Sequence, residues 1–231
     1  MGLPPLTRLG DTTWTALAAP GAVPPILAIP VGSCEQHGPH LPLDTDTRIA
    51  VAIAERLAAA DARVVVAPAL TITASGEHQG FAGTLSIGAV VFEHVLVELI
   101  RSADWSSGVV LVNGHGGNAW AVRRAVTLSA AEGRDVLSWW PHIEGGDAHA
   151  GRTETSMMLA LEPALVRTRD AQAGNRAPVA ALLPAMTEGG VASVSANGVL
   201  GDPAGASAAE GIALLEQLAT DCVAQVRAWR A

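Results

Sequence analysis

Between residues 26 and 31 the chain runs Ile-Leu-Ala-Ile-Pro-Val without a polar residue. An apolar run of this length, with no alternation, predicts a strand buried on both faces, as in a parallel sheet. Val64–Ala67 (ended by Pro68), Gly108–Val112 and Val136–Trp139 read the same way. Between these runs the apolar positions fall at helical spacing. Ile49, Ile53 and Leu57 mark a helix over Thr47–Ala60, and Ala89–Ser102 and Ala119–Ala131 predict two more, the latter with Gly133 as its C-terminal cap. Thr153–Leu161 predicts a short helix stopped by Pro163, and Ser207–Trp229 a closing one. Residues 1–25 carry five prolines and read as an arm with one short helix near Thr13–Ala18. Residues 74–88 form a glycine-rich loop, and Gly189–Pro203 is irregular, with Gly-Gly, Asn-Gly and Asp-Pro turn signals. The alternation of strands and helices predicts one α/β domain over residues 1–231, with a mostly parallel central sheet flanked by helices on both faces.

Composition narrows the partners. Of the 231 residues 49% are hydrophobic and only 16% charged, which gives a globule rather than a disordered chain. A net charge of −8 without any Lys/Arg cluster argues against nucleic acid. No apolar run reaches bilayer length, and the N-terminus lacks a basic-then-apolar signal pattern. Cys34 and Cys222 are too few for a disulfide framework, so a cytoplasmic protein is expected. A surface this poor in charge favours self-association into a homo-oligomer.

The unusual residues sit where such a sheet binds ligands, at the carboxyl ends of its strands. Glu35 and His37 follow the first predicted strand, Glu77 and His78 the second, His115 the third and His149 the fourth. With His40, these are five of the seven histidines; His94 and His142 lie elsewhere, His94 reading as an ordinary helix residue. Glu35, His37, His40, Asp44 and Asp46 fall within twelve residues, and carboxylate with imidazole is the donor set of zinc, iron and manganese. Asn113-Gly-His-Gly-Gly-Asn118 presents His115 on a turn whose glycines, Gly116 and Gly117 among them, let the backbone approach a ligand; a glycine turn with an incidental histidine is the other reading. It lacks the Gly-Lys-Ser/Thr ending of a phosphate loop. Glu154 has two readings of equal weight: a carboxylate favoured in the first turn of a helix, or a metal ligand with His149 nearby as an acid/base group. Cys34 invites a cysteine-hydrolase reading with His37 as base, but no third group orients the pair, and Cys34 reads as a small packing residue. A Gly-x-Ser-x-Gly elbow is absent. Trp139 and Trp140 read as core residues by default, with a pocket wall as the other reading.

These motifs resemble those of a known family. Pro30-Val-Gly-Ser-Cys-Glu-Gln-His-Gly-Pro-His-Leu-Pro, continued through Asp46, resembles the first metal motif of the creatininase family. Asn113–Asn118 and His149-Ala-Gly-Arg-Thr-Glu-Thr-Ser156 resemble its second and third motifs. Gly76-Glu-His-Gln-Gly-Phe-Ala-Gly-Thr84 resembles its substrate-side loop, with Ala82 where proline is usual. Residues 43–49, 145–151, 173–178 and 198–203 are similar to the branch of the family that serves the mycofactocin system.

The resemblance implies a creatininase-like fold and a metal-dependent hydrolase of C–N amide or peptide bonds. By position it implies Glu35, His37, Asp46 and His115 as metal ligands, with Asp46 bridging two divalent ions (zinc, iron or manganese), and His149 as the catalytic histidine. Creatininase itself has a ligand carboxylate two residues beyond the second-motif histidine. That position is Gly117 here, so the fifth ligand, with a share in catalysis, is assigned to Glu154. Glu77, His78, Gly116 and Gly117 are implied as substrate-binding residues. The branch implies as substrate the radical-modified mycofactocin precursor peptide. Cleavage before its C-terminal modified Val-Tyr dipeptide releases the cross-linked remnant. A cyclic-amide or formamide hydrolase of small molecules is the alternative, and closed homo-oligomers are expected from the family.

Overall fold

A computed structural model of the chain describes residues 7–231. Strands β1 (Thr7–Arg8), β2 (Ile26–Val31), β3 (Val64–Val66), β4 (Gly108–Asn113) and β5 (Val136–Trp139) form one all-parallel sheet in the order β1-β3-β2-β4-β5. The helices are α1 (Trp14–Leu17), α2 (Thr45–Ala60), α3 (Ala89–Ser102), α4 (Ala119–Ala131), α5 (Arg152–Leu161), α6 (Val179–Gly189) and α7 (Ala208–Trp229). Every residue of β2 and β4 is buried, as their unbroken apolar runs predict. Ile26 and Ala28, with Val110 and Val112, pack under α2, α5 and α7. Leu27, Ile29 and Val31, with Val109 and Leu111, face α3 and α4 on the other side. Each fully buried aliphatic such as Ile53, Leu57 or Leu215 contributes roughly 1.5–3 kcal/mol, and the two apolar layers hold the strand ends rigidly above them.

This topology makes the site. From β2 the chain crosses to β3 on one side, then returns through α3 to β4 on the other. The loops leaving β2 and β4 therefore diverge, and a crevice opens at their carboxyl ends. Two glycines bring both loops close to the start of α2. A Cβ at Gly32 would overlap Thr47, and one at Gly114 would lie 2.7 Å from the Asp46 carbonyl. Asp46, in the first turn of α2, is thereby held between the ends of the two central strands.

The structure departs from the sequence reading in three places. Thr7 and Arg8, read as part of an arm, add a strand beside β3, and Arg8 Nε donates to Glu55 of α2 at 2.9 Å; residues 1–6 of that arm lie outside the described residues. Helix α2 begins at Thr45, two residues before the predicted start. Helix α6 has no counterpart among the predicted elements; Pro178 sits at its N-cap, and Pro184 lies inside it, where proline ordinarily disfavours a helix. Among the described residues no helix is long and apolar enough to cross a membrane.

Candidate active site

The Asp46 carboxylate is the centre of the crevice. Oδ1 lies 3.0 Å from His37 Nε2 and Oδ2 lies 3.1 Å from His115 Nδ1, so one oxygen serves each imidazole. Ser33 Oγ donates to Oδ2 at 2.9 Å and orients the group. Glu35 enters from the β2 side, with Oε2 3.2 Å from His115 Nε2 and Oε1 3.4 Å from His78 Nε2. Glu154 reaches in from α5, with Oε2 3.9 Å from His37 Nε2. His149 completes the cluster, its ring centroid 4.3 Å from that of His37 and 4.5 Å from that of His78. Glu35, Asp46 and His115 form one group whose ligand atoms lie within 4.8 Å of one another; His37, His149 and Glu154 form a second, and Glu35, His78 and His149 a third.

The donor set fits a divalent cation. Glu35 is completely buried, yet neither carboxylate oxygen has a hydrogen-bond partner among the described residues. An orphaned buried carboxylate costs several kcal/mol unless a cation neutralises it. Oxygen and imidazole donors of this kind suit zinc, iron or manganese.

Comparison with known proteins agrees with this arrangement. The creatininase family model, described as creatinine amidohydrolase, matches residues 10–226. The chain belongs to the creatininase family. It is 52% identical to the mycofactocin precursor peptide peptidase of Mycobacterium tuberculosis over 98% of this chain and 93% of that protein. It is 30% identical to the creatinine amidohydrolase of Pseudomonas putida, over 68% of this chain and 73% of that one. Among solved structures, a manganese creatininase superposes with a TM-score of 0.81 at 26% identity, covering 96% of this chain and 97% of its own. The chain is accordingly a creatininase-family hydrolase, with the creatininase fold.

Within that creatininase-family crevice the histidines divide. His37, His78, His115 and His149 converge, but His40 points away: its Nε2 lies 2.9 Å from Thr155 Oγ1 behind the site. His142, set aside in the sequence, lines a side cleft of about 500 Å³ beside Asp46 and Glu154. His94 is exposed on α3. Asp44 precedes α2 and pairs with Arg48 at 2.8 Å, outside the cluster. Both readings of Glu154 are met at once, since it sits in the first turn of α5 and also faces His37. Its Oε2 accepts from the Ala150 backbone N–H at 2.5 Å, across a turn in which Ala150 holds φ at +52°. That left-handed turn is unusual for a residue with a Cβ, and it aims His149 and Glu154 into one space. Cys34 has its Sγ 3.8 Å from the Gly83 carbonyl, while His37 is engaged by Asp46, so no thiol–imidazole pair exists. Trp139 is buried with its Nε1 donating to Asp221 at 2.8 Å, as a core residue.

Gln36, which the sequence reading passed over, organises the histidines. Its backbone carbonyl lies 2.8 Å from His149 Nε2, and its side-chain amide donates to the Gly198 carbonyl at 3.0 Å and to His78 Nδ1 at 2.8 Å. The Gln36 amide nitrogen also lies 3.0 Å from His149 Nε2, so Gln36 brings both an acceptor and a donor to that nitrogen, while Nδ1 faces Glu35 Oε1 at 3.9 Å. The principal cleft, of about 630 Å³, is lined by Glu35, Glu77, His78, His115, Gly116, Gly117 and His149 on the chemical side. Trp120, Val179, Leu183 and Met186 form its apolar wall, three of them from α6. No predicted element marked this wall, since α6 is absent from the sequence-based elements.

Charge compensation explains the titration. Burial disfavours the His37 imidazolium, but Asp46, helped by Glu154 and Glu35, outweighs it and raises the pKa to about 10. Burial raises Glu154 to about 7, with His37 opposing. His149 is pushed well below its usual range by burial, then by the charges of His37 and His78, and stays neutral. Protons here fill a demand for positive charge, and a metal ion would displace them.

His40, outside the cluster, allows a stability test. Burial, then His37, lowers its pKa to about 4. Between pH about 6.5 and about 4 the unfolded chain therefore binds a proton at this position that the folded chain does not, and stability falls as pH falls. The expected outcome for metal-free protein is that its stability advantage over His40→Asn shrinks across that window, by about 3 kcal/mol at most. Urea midpoints at several pH values measure it, and a constant difference would show that His40 titrates normally.

Proposed function

We propose that this chain is the metal-dependent peptidase of mycofactocin maturation. It hydrolyses the amide before the C-terminal modified Val-Tyr dipeptide of the radical-modified precursor peptide and releases the cross-linked remnant. The observation that carries the hydrolase chemistry is the buried, unpartnered Glu35 carboxylate facing Asp46 and three histidines. The peptide substrate is supported by the 52% identity to a mycofactocin precursor peptide peptidase, against 30% to a creatinine amidohydrolase. The apolar wall of Trp120, Leu183 and Met186 also suits a Val-Tyr remnant better than a small polar heterocycle.

In this reading Glu35, Asp46 and His115 would hold one divalent ion, and His37 and Glu154, with Asp46 beside them, would hold a second. Zinc, iron or manganese bound there acidifies water and polarises the scissile carbonyl. His149 does the proton work. Neutral and fixed through Nε2 by Gln36, it takes the proton of the attacking water at Nδ1 and delivers it to the leaving amide nitrogen. Glu77, His78, Gly116 and Gly117 line the cleft into which the peptide chain enters. The same reading places the chain in the cytoplasm as a homo-oligomer, for which exposed Trp14, Val90 and Val91 supply apolar surface.

Mass spectrometry of the modified precursor incubated with metal-loaded protein tests this directly. The expected products are a shortened precursor and a free dipeptide-derived fragment, both absent when a chelator is present. An intact peptide alongside hydrolysis of a cyclic amide or formamide would transfer the assignment to small-molecule substrates.

A further inference from the structure

The residue that holds His115 from behind has no assigned role in the chemistry. His115 Nδ1 faces Asp46 at 3.1 Å, whereas Nε2 donates to the Ala74 carbonyl at 3.0 Å. That hydrogen bond keeps a proton on Nε2 and sets Nδ1 beside Asp46, as the nitrogen a cation would take in place of a proton. Two carboxylates lie beyond Nε2: Glu35 Oε2 at 3.2 Å and Glu77 Oε1 at 3.5 Å. Glu77 stands on the single 3-10 turn Gly76–His78, and no Arg or Lys pairs with it among the described residues. Burial raises the pKa of its carboxyl, and His115, with the residue's own backbone N–H, opposes that rise.

The space it uses is vacated by Gly117. A Cβ at residue 117 would overlap Glu77 Oε1 and His115 Nε2, and would lie 2.7 Å from the Ala74 carbonyl. Any side chain there would expel the Glu77 carboxylate and disturb the Ala74 hydrogen bond. The glycine at 117 and the glutamate at 77 are therefore a matched pair brought together from two loops.

We propose that Glu77 is a positioning residue of the metal centre, its carboxylate filling the space above Gly117 and holding the His115 imidazole in the orientation and tautomer that present Nδ1 beside Asp46. An anion behind the distal N–H of a ligand histidine makes the ligating nitrogen a better donor, and losing such a partner typically costs about 10–100-fold in metal affinity. The inference rests on the metal-dependent reading above, but the two fail separately.

The test is a cobalt(II) competition titration with its visible spectrum, on wild type, Glu77→Gln and Gly117→Ala, without any peptide. Glu77→Gln keeps the shape and removes the charge. It is expected to weaken cobalt binding at least about 10-fold and to shift the ligand-field bands, with an unchanged urea midpoint for the metal-free protein. Gly117→Ala should show the same loss, and adding Glu77→Gln to it should cost nothing more. Native affinity and spectrum in Glu77→Gln, with only KM for the peptide raised, would overturn the proposal and leave Glu77 a substrate contact. Additive losses in the double variant would overturn the pairing. Failure of wild type to bind cobalt would defeat the metal reading itself.

Discussion

Asp46→Asn is expected to strip metal from the protein and to reduce peptide hydrolysis by at least about 10³-fold. The side chain is almost completely buried, and its two oxygens face different histidines at 3.0 and 3.1 Å, so no other carboxylate of the cluster touches both halves. Asparagine has the same size and still accepts from Ser33, which holds the residue in place at 2.9 Å, so the first turn of α2 should survive. What is lost is the charge. His37 is raised to about 10 chiefly because Asp46 offsets the cost of burying its imidazolium. Without that anion burial is left opposed only by the weaker pull of Glu154 and Glu35, and His37 should titrate far lower. Metal content by elemental analysis and the imidazole titration by NMR read the two effects independently. Retention of a full metal complement would show that Asp46 is not the shared ligand.

The second large effect is expected at His149. His149→Ala should lower kcat by about 10²–10⁴-fold, the usual contribution of a positioned acid/base group, while metal content stays at the wild-type level. The structure makes this a sharp question, since His149 belongs to two of the three groups in which donor atoms approach one another. Geometry argues for the proton role. Nε2 is engaged by the Gln36 carbonyl at 2.8 Å, and Nδ1 stands 3.9 Å from Glu35 Oε1, farther than His115 Nε2 at 3.2 Å. Loss of metal along with activity would reassign His149 as a ligand.

Much of the fold was legible because its signals are local. Strands β2 and β4 are buried on both faces, so they appear as unbroken apolar runs, and α3, α4 and β5 lie where periodicity puts them. Helix α6 carries Pro184, which contradicts helix propensity, and it is packed through Leu182 and Met186 against Val191 and Leu200, contacts that come from a later loop. The edge strand at Thr7–Arg8 is two residues long, too short for any alternation to show.

The site divides the same way. The sequence by itself determined which residue types are present and at which strand ends, since Glu35, His37, His115 and His149 each follow a strand read from its own composition. It also determined the family, because those motifs are contiguous. Only the tertiary structure decided which side chains meet. It turned His40 toward Thr155, set Gln36 between His78 and His149, and filled the space over Gly117 with Glu77 from a loop forty residues away. Contacts of that kind depend on the order of β3, β2 and β4 in the sheet and on side-chain orientation across the crevice, and neither is encoded in local periodicity.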